Sequence, residues 1–207
     1  MFFLPYLKKG LILSNAHNLY FDRGSLKYVG SNVIIGRTVR FRAPHEVVLH
    51  DNTIIDDHCY ISGKLELGPY SHIGPNVSII GGGVTNIGAM SGISAGSVLI
   101  TGSSNFLVPT LDLPTIPDEF RCSSQASFVK LADFVYIGSN STILPGVDLP
   151  VGFACTVGSI LRAGNYSSWA LYSGQSGEKI CKRSTSSLVA NKERLDKLLG
   201  RDINLNN

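Results

Sequence analysis

The chain has 207 residues, 43% of them apolar and 16% charged, which is enough to form a buried core and too little charge for a disordered protein. The net charge of +3 comes from 18 basic and 15 acidic residues, without the dense Lys and Arg runs of proteins that bind nucleic acid or membrane surfaces. No apolar run approaches the roughly 20 residues that span a bilayer, and the four cysteines form no CxxC pair. These features predict a soluble, reduced, cytoplasmic protein without a zinc or redox motif.

The N-terminal segment, Met1 to Leu13, is apolar but carries its charges after the apolar stretch and has no small-residue cleavage site. It therefore does not fit a signal peptide. We expect it to plug one end of the core, and we assign residues 1–28 to an N-terminal cap segment.

Large apolar residues then recur every six positions. Runs of three, six, three and six such residues give 18 hexads, and this period fits neither a helix nor a simple strand alternation. It predicts an all-β parallel β-helix over residues 29–166, in which three hexads make each of about six coils and equivalent residues stack. The residues are Val29, Ile35, Phe41, Leu49, Ile55, Ile61, Leu67, Ile73, Ile79, Ile87, Ile93, Leu99, Leu131, Ile137, Ile143, Leu149, Cys155 and Leu161.

Three breaks interrupt this period. Two are steps of eight residues instead of six, at 41–49 and 79–87, whereas 32 residues separate Leu99 from Leu131. The long break predicts a loop extruded at residues 102–128, and long inserts in rigid scaffolds usually carry function.

After the last hexad, residues 167–207 form a C-terminal tail that contains a predicted helix from Ser186 to Gly200. Ser186 or Ser187 is the expected N-cap and Gly200 the expected C-cap. Because a solenoid needs cover over its exposed end, we expect this helix to cap the β-helix. Its apolar stripe consists of Leu188, Leu195, Leu198 and Leu199.

One coil, Ile137 to Val147, reads I-G-S-N-S-T-I-L-P-G-V and resembles the I-G-x-N-S-x-I-x-P-G-V coil of the hexapeptide-repeat acyltransferases. The resemblance covers about residues 29–183 and is strongest to sugar acetyltransferases of bacterial surface polysaccharide (O-antigen and capsule) biosynthesis. It implies a left-handed β-helix, a homotrimer, and acetyl-CoA bound between subunits, with no metal. The implied reaction is acylation of a sugar hydroxyl or of the amine of a nucleotide-linked amino sugar, and our leading hypothesis is N-acetylation of a nucleotide-linked amino sugar in the cytoplasm.

The sequence departs from this family at two places. Galactoside and maltose acetyltransferases carry a catalytic His in the extruded loop, whereas the stretch Thr101 to Phe106 contains none. The usual tail G-x-P-A-K is replaced by residues 174–179, which read G-Q-S-G-E-K.

A general base must therefore come from elsewhere, and His is the commonest choice. His72 is the strongest candidate among the five histidines, because it directly precedes the buried Ile73 and is expected at a corner, one coil below the coil that leads into the insert. The alternative is a hydrogen bond to a neighbouring corner without chemistry. The others, His17, His45, His50 and His58, are more typical of a solvated surface.

Further candidate residues follow from the resemblance. Ser104 and Asn105 in the insert are expected to orient the acceptor. The family's cosubstrate groove maps to Gly138, Ser139 and Gly158, whose backbone amides would face the pantetheine arm, and Lys182 and Arg183 are expected at the CoA phosphates. Ordinary loop, corner and solvated-tail roles are the alternatives.

Three other functions stay open at this point. An O-acetyltransferase acting on a sugar hydroxyl has the same sequence features. A metal site like that of carbonic-anhydrase-type β-helices would need His45 and His50 with either His58 or His72. A purely structural β-helix would leave the long insert and the acyltransferase-like coil without a role.

We expect the protein to be a trimer in which the insert of one subunit closes over His72 of another, since corners of neighbouring prisms meet. Analytical ultracentrifugation at micromolar concentration checks this. A monomer would contradict both the trimer and the shared site.

Overall fold

The computed structural model describes residues 18–104, 115–120, 125–174 and 177–203. The expected plug at Met1 to Leu13, together with His17, Asn105 and Cys122, lies outside these residues. Three short 3₁₀ helices, Arg23–Ser25, Pro44–Glu46 and Asp118–Phe120, accompany a structure that is otherwise built mainly of short strands.

Eighteen strands make six coils of three strands each. The first four coils contain β1 (Tyr28–Val29), β2 (Ile34–Ile35), β3 (Arg40–Phe41), β4 (Val47–Leu49), β5 (Ile54–Ile55), β6 (Tyr60–Ile61), β7 (Lys64–Leu67), β8 (His72–Ile73), β9 (Ser78–Ile80), β10 (Val84–Ile87), β11 (Gly92–Ile93) and β12 (Val98–Ile100). The insert contributes two more strands, β13 (Gly102–Ser103) and β14 (Gln125–Ala126). The last two coils contain β15 (Phe128–Leu131), β16 (Tyr136–Ile137), β17 (Thr142–Ile143), β18 (Val147–Leu149), β19 (Ala154–Cys155) and β20 (Ile160–Leu161).

Corresponding strands of successive coils pair in parallel and form three sheets. Sheet A runs β1-β4-β7-β10-β15-β18, sheet B begins β2-β5-β8-β11-β16-β19, and sheet C runs β3-β6-β9-β12-β17-β20. The parallel β-helix of about six turns is thereby confirmed.

The predicted stacking is also confirmed residue by residue. On sheet A, Leu67 pairs with Ile87, and on sheet B Ile73 pairs with Ile93. The hexad residues of all three sheets form columns that are almost wholly buried, so the apolar core is one continuous stack along the axis.

A second inward position lies two residues before the hexad residue of every coil strand except β1, where Lys27 is exposed. Its residues range in size from serine to phenylalanine and include buried Ser71, Ser91, Ser97, Ser141 and Ser159. Their hydroxyls donate to corner carbonyls, as Ser91 Oγ does to Ala132 O at 2.8 Å. These serines supply hydrogen bonds that the tight corners cannot make between backbone groups alone.

The insert leaves the prism at the corner between sheets C and A. Its first strand, β13, pairs antiparallel with β14 to form the base of the loop. In a triangular prism this corner lies opposite sheet B.

The C-terminal end of the core is covered by aromatic rings. Two further strands, β21 (Ala170–Tyr172) and β22 (Lys179–Lys182), extend sheet B past β19. Tyr172 stacks on Phe153 with ring centroids 4.9 Å apart, and Tyr166 meets Phe153 edge-on at 5.2 Å.

The expected helix is split into α1 (Ser186–Ala190) and α2 (Lys192–Leu199). Thr185, not Ser186 or Ser187, occupies the N-cap position of α1, while Gly200 ends α2 in the left-handed conformation as expected. Leu188, Leu195 and Leu199 pack on a cluster that contains Phe134 and Trp169 at the corner between sheets A and B. The helices therefore lie beside the prism and not over its end, because their apolar stripe covers the rings of this corner, which are buried.

Gly152 fits between these rings. Its φ is +67°, and an added Cβ would lie 2.2 Å from Cε3 of Trp169. Gly158 has nearly the same φ, +69°, but no atom lies within 4 Å of its added Cβ. The two glycines share one backbone requirement and differ in the space around them.

We expect Gly158→Ala to lower the free energy of unfolding by about 1–2 kcal/mol, the cost of a left-handed alanine. Gly152→Ala should cost about 1–3 kcal/mol more, because the Trp169 ring must move. Urea unfolding followed by circular dichroism measures both. Equal losses would contradict the close packing inferred for Gly152.

Candidate active site

An open depression of about 680 Å³ lies on the outer face of sheet B. His72, Gly92 and Tyr136 line it, with Tyr70 and Met90 on one side. The corner between sheets B and C closes the other side through Gly74, Pro75, Ser94 and Ala95.

The depression follows from the register of three neighbouring strands. Gly92 pairs with His72 on one side and with Tyr136 on the other, and all three stand directly before a buried hexad residue, so they face outward. Adjacent strands lie about 4.8 Å apart, which separates the His72 and Tyr136 positions by roughly 9 to 10 Å. The missing side chain of Gly92 leaves the space between them open.

His72 therefore lies on strand β8. The corner position that the sequence predicted for it is wrong. The period of six fixes which residues face inward, but the corner falls later in the hexad, after Ile73 and Gly74. The side chain of His72 is about half exposed, so it is accessible to a ligand in the depression.

Asp56 of the preceding coil holds the imidazole of His72. His72 Nε2 lies 2.8 Å from Asp56 Oδ2. If Nε2 carries the proton and donates to the carboxylate, Nδ1 keeps its lone pair and can accept a proton. The pair thus has the base-and-orienting-group arrangement that general-base catalysis requires.

Tyr136 forms the opposite wall and is itself supported by Arg183. The guanidinium of Arg183 lies 4.8 Å from the centroid of the Tyr136 ring. Arg183 Nη1 donates to the carbonyls of Phe134 and Gly152 at 3.1 Å and 2.7 Å. Burial lowers the pKa of Arg183 from its ordinary value, and a guanidinium stays charged throughout the physiological range.

This geometry differs from the phosphate-binding role expected for Arg183. One nitrogen is committed to backbone carbonyls and the charged plane is stacked on Tyr136, so Arg183 fixes the wall of the depression. Lys182 is exposed on β22, opposite Ala170, and no described residue forms a salt bridge with it.

The expected groove residues Gly138, Ser139 and Gly158 lie together on the corner between sheets B and C. The amide of Gly158 donates to Ser139 O at 2.9 Å, and the amide of Gly138 donates to Cys155 O at 3.1 Å. Neither amide can donate to a ligand without giving up a bond to the next coil. An added Cβ at Gly138 would lie 2.5 Å from the carbonyl carbon of Thr156, so close coil stacking explains this glycine.

Ser104 lies on the far side of its own subunit from the depression. It follows β13 at the corner between sheets C and A, and its carbonyl accepts a hydrogen bond from Ser103 Oγ at 3.1 Å. Asn105 is outside the described residues. Within one chain, Ser104 and His72 are therefore not brought together.

The remaining described histidines lie outside the depression. His50 Nε2 is 3.1 Å from Glu66 Oε1, His58 occupies a corner with φ of 63°, and His45 is exposed. Among the residues with described positions, no three His, Cys, Asp or Glu side chains lie close enough together to hold a metal ion.

Cys59 is not a candidate nucleophile. It is buried and lies 3.1 Å from Gly74 O. Burial raises the pKa of its thiol to about 11, so it is protonated at neutral pH.

Sequence reasoning missed Asp56, Gly92 and Tyr136. The signal was available in part, because the residue before each sheet B hexad must face outward in one column. Reading that column gives Ile34, Ile54, His72, Gly92, Tyr136 and Ala154, with a gap at the glycine. The contact between Asp56 and His72 depends on side-chain directions, which the period does not specify.

Solved structures similar to this chain include acyltransferases. The chain is similar to AntD, an N-acyltransferase from Bacillus cereus, crystallised with dTDP and 3-hydroxybutyryl-CoA (TM-score 0.76, 27% identity, 87% of this chain and 98% of AntD covered). A substitution variant of AntD was crystallised with dTDP-4-amino-4,6-dideoxyglucose and coenzyme A (TM-score 0.76, 27% identity, coverage 84% and 94%).

A more distant likeness is to a maltose O-acetyltransferase from Clostridium difficile 630 (TM-score 0.51, 16% identity, coverage 87% and 86%), which supports the fold alone. No protein-family model matches the chain, and no curated protein matches it closely enough to carry an argument. The similarity to AntD confirms the expected enzyme class, acyltransferase. In the described part of the chain, no helix has the length and apolarity to cross a membrane.

An added Cβ at Gly92 would have Tyr136 Cδ1, at 3.6 Å, as its nearest neighbour. We therefore expect Gly92→Ala to raise or lower the free energy of unfolding by no more than about 1 kcal/mol. Gly88→Ala should cost about 1–3 kcal/mol or more, since its Cβ would lie 2.5 Å from the Ala132 carbonyl carbon. Thermal unfolding compares the two. A large loss at Gly92 would mean that the fold, and not the depression, requires this glycine.

Proposed function

We propose that this chain is a CoA-dependent acyltransferase that transfers an acetyl group to the amine of a nucleotide-linked amino sugar. The observation that carries the proposal is the open depression on sheet B, in which the His72 imidazole is held by the Asp56 carboxylate. The protein thus offers an oriented base beside a space of about 680 Å³.

The AntD complexes support both substrates. AntD was crystallised with a dTDP-linked 4-amino sugar and coenzyme A, and the chain covers 94% of that protein. AntD was also crystallised with 3-hydroxybutyryl-CoA, so this longer acyl group belongs in any test beside acetyl.

The chemistry requires one proton acceptor. The acceptor nitrogen attacks the thioester carbonyl, a C–N bond forms, and the C–S bond breaks as CoA leaves as a thiol. His72 would take the proton that the nitrogen loses and pass it to the departing sulfur, and Asp56 would stabilise the imidazolium that forms in between. The bonds and charges balance without a metal or a redox partner.

The proposal includes a homotrimer in which a neighbouring subunit completes the site. Within one chain the insert base lies opposite sheet B, so Ser104 and Asn105 would reach the acceptor only from a neighbour. Lys182, exposed on β22, remains available for CoA phosphates. We place the reaction in the cytoplasm, in the biosynthesis of bacterial surface polysaccharide, where nucleotide sugars are consumed.

The function is tested by incubating the purified protein with acetyl-CoA or 3-hydroxybutyryl-CoA and measuring free thiol release. The acceptors are dTDP-4-amino-4,6-dideoxyglucose, a free amino sugar, and nucleotide sugars that carry hydroxyls only. Turnover should require the nucleotide-linked amine. Turnover with the hydroxyl acceptors alone would instead identify a sugar O-acetyltransferase.

We expect His72→Ala to lower kcat by about 10²-fold or more, since positioned proton transfer contributes about 10² to 10⁴ in rate. The fold should be retained because the His72 side chain is half exposed and exposed ion pairs contribute little stability. Steady-state kinetics with saturating acyl-CoA, together with thermal unfolding, measures both effects.

His50→Ala is the matched control. It removes a second exposed histidine that is paired with a carboxylate but does not line the depression. It should keep near wild-type kcat. If His72→Ala keeps more than about a tenth of the wild-type activity, the loss of rate is smaller than the usual contribution of a general base. That result would show that this imidazole is not the base.

A further inference from the structure

A second recess lies on the outer face of sheet C, at the first two coils. It has a volume of about 470 Å³ and is lined by Tyr20, Arg40, Phe41, Arg42 and Tyr60. None of these residues belongs to the depression around His72, which opens on sheet B of later coils.

Hydrogen bonds hold the Tyr20 wall of this recess in place. Asn18 Nδ2 donates to the carbonyls of Gly36 and Val39 at 3.0 Å and 2.9 Å, and Asn18 Oδ1 accepts from the Tyr20 amide at 2.7 Å. The next ring, Phe21, packs edge-on against Phe41 with centroids 4.8 Å apart. The segment that carries Tyr20 is therefore tied to the first coil.

The recess carries two positively charged side chains. Arg40 and Arg42 flank the buried Phe41 and are both exposed, so their guanidinium groups lie on one face. Within the described ranges neither forms a salt bridge, whereas Lys64 pairs with Glu46 at 3.5 Å. Two neighbouring guanidinium groups match the oxygens of a phosphate group, each through paired N–H donors.

Aromatic rings flank the two charges. Tyr60 is the cross-strand neighbour of Arg40, and the Arg40 guanidinium lies 5.8 Å from the Tyr20 ring centroid. Flat faces beside guanidinium groups suit a planar heterocycle joined to phosphate, because the ring stacks while the arginines bind the anion.

We propose that this recess binds the nucleoside phosphate part of a substrate. The inference rests on the proposed function, which has two sources of such a group, the nucleotide of the sugar acceptor and the adenosine phosphates of CoA. Both share the chemistry that the recess recognises, a planar base linked to phosphate.

The test measures binding without acyl transfer, so it is independent of the proposed reaction. Thymidine diphosphate, coenzyme A and inorganic pyrophosphate are each titrated into the full-length protein by calorimetry. In the double variant Arg40→Gln, Arg42→Gln, at least one of the two nucleotides should bind about tenfold or more weakly, the loss expected when a charge-assisted hydrogen bond is removed. Arg194→Gln, at an exposed arginine of α2, is the charge-matched control and should bind as the wild type does.

A loss for thymidine diphosphate alone assigns the recess to the acceptor, and a loss for coenzyme A alone assigns it to the cosubstrate. Tyr60→Leu should weaken the binding of the same nucleotide and leave that of pyrophosphate unaffected, while Tyr60→Phe retains binding.

Unchanged affinities in the arginine variant overturn the proposal even if acyl transfer occurs. Equal binding of pyrophosphate and both nucleotides overturns the nucleotide assignment. Normal nucleotide binding without any turnover would overturn the reaction and leave this site intact.

Discussion

The hydrogen bonding of each coil to the next is the constraint on which the rest of the structure depends. Every strand is short, with two to four residues, and none could persist alone. Parallel pairing in one register places each hexad residue on its equivalent, as Ile73 lies on Ile93 and Ile93 on Ile137. The same register also brings backbone close to backbone at corners, which only glycine tolerates at Gly88 and Gly138.

The same register sets the positions of the side chains on the outer surface. Outward residues of neighbouring strands form columns with a fixed spacing, so the absence of one side chain creates a depression of defined width. Gly92 does this between His72 and Tyr136. Because the walls stand on paired strands and not on loops, their separation is set by the sheet, which is a favourable basis for positioning reactants.

The C-terminal tail connects the stability of the prism to this depression. Trp169 packs on Phe134 across Gly152, and Arg183 binds the carbonyls of the same corner while its charge lies over Tyr136. Arg201 pairs with Asp133 on that corner, so the end of α2 is attached there as well. The tail thereby holds one wall of the candidate site in place, a role that differs from the phosphate binding expected for Arg183.

Most of the fold was determined by the sequence itself. The six-residue period arises because one large apolar residue per strand must face the interior, so the coil count, the three columns and the position of the insert could all be read from residues such as Leu67, Ile73 and Ile79. The location of the helices beside the prism could not, because an apolar stripe does not specify which surface it covers. Likewise, only the tertiary structure decided that Asp56 contacts His72, that Arg183 supports Tyr136, and that Arg40 and Arg42 share a recess with Tyr20. These contacts join side chains of different coils, and their directions are set by packing between coils, on which a one-dimensional period carries no information.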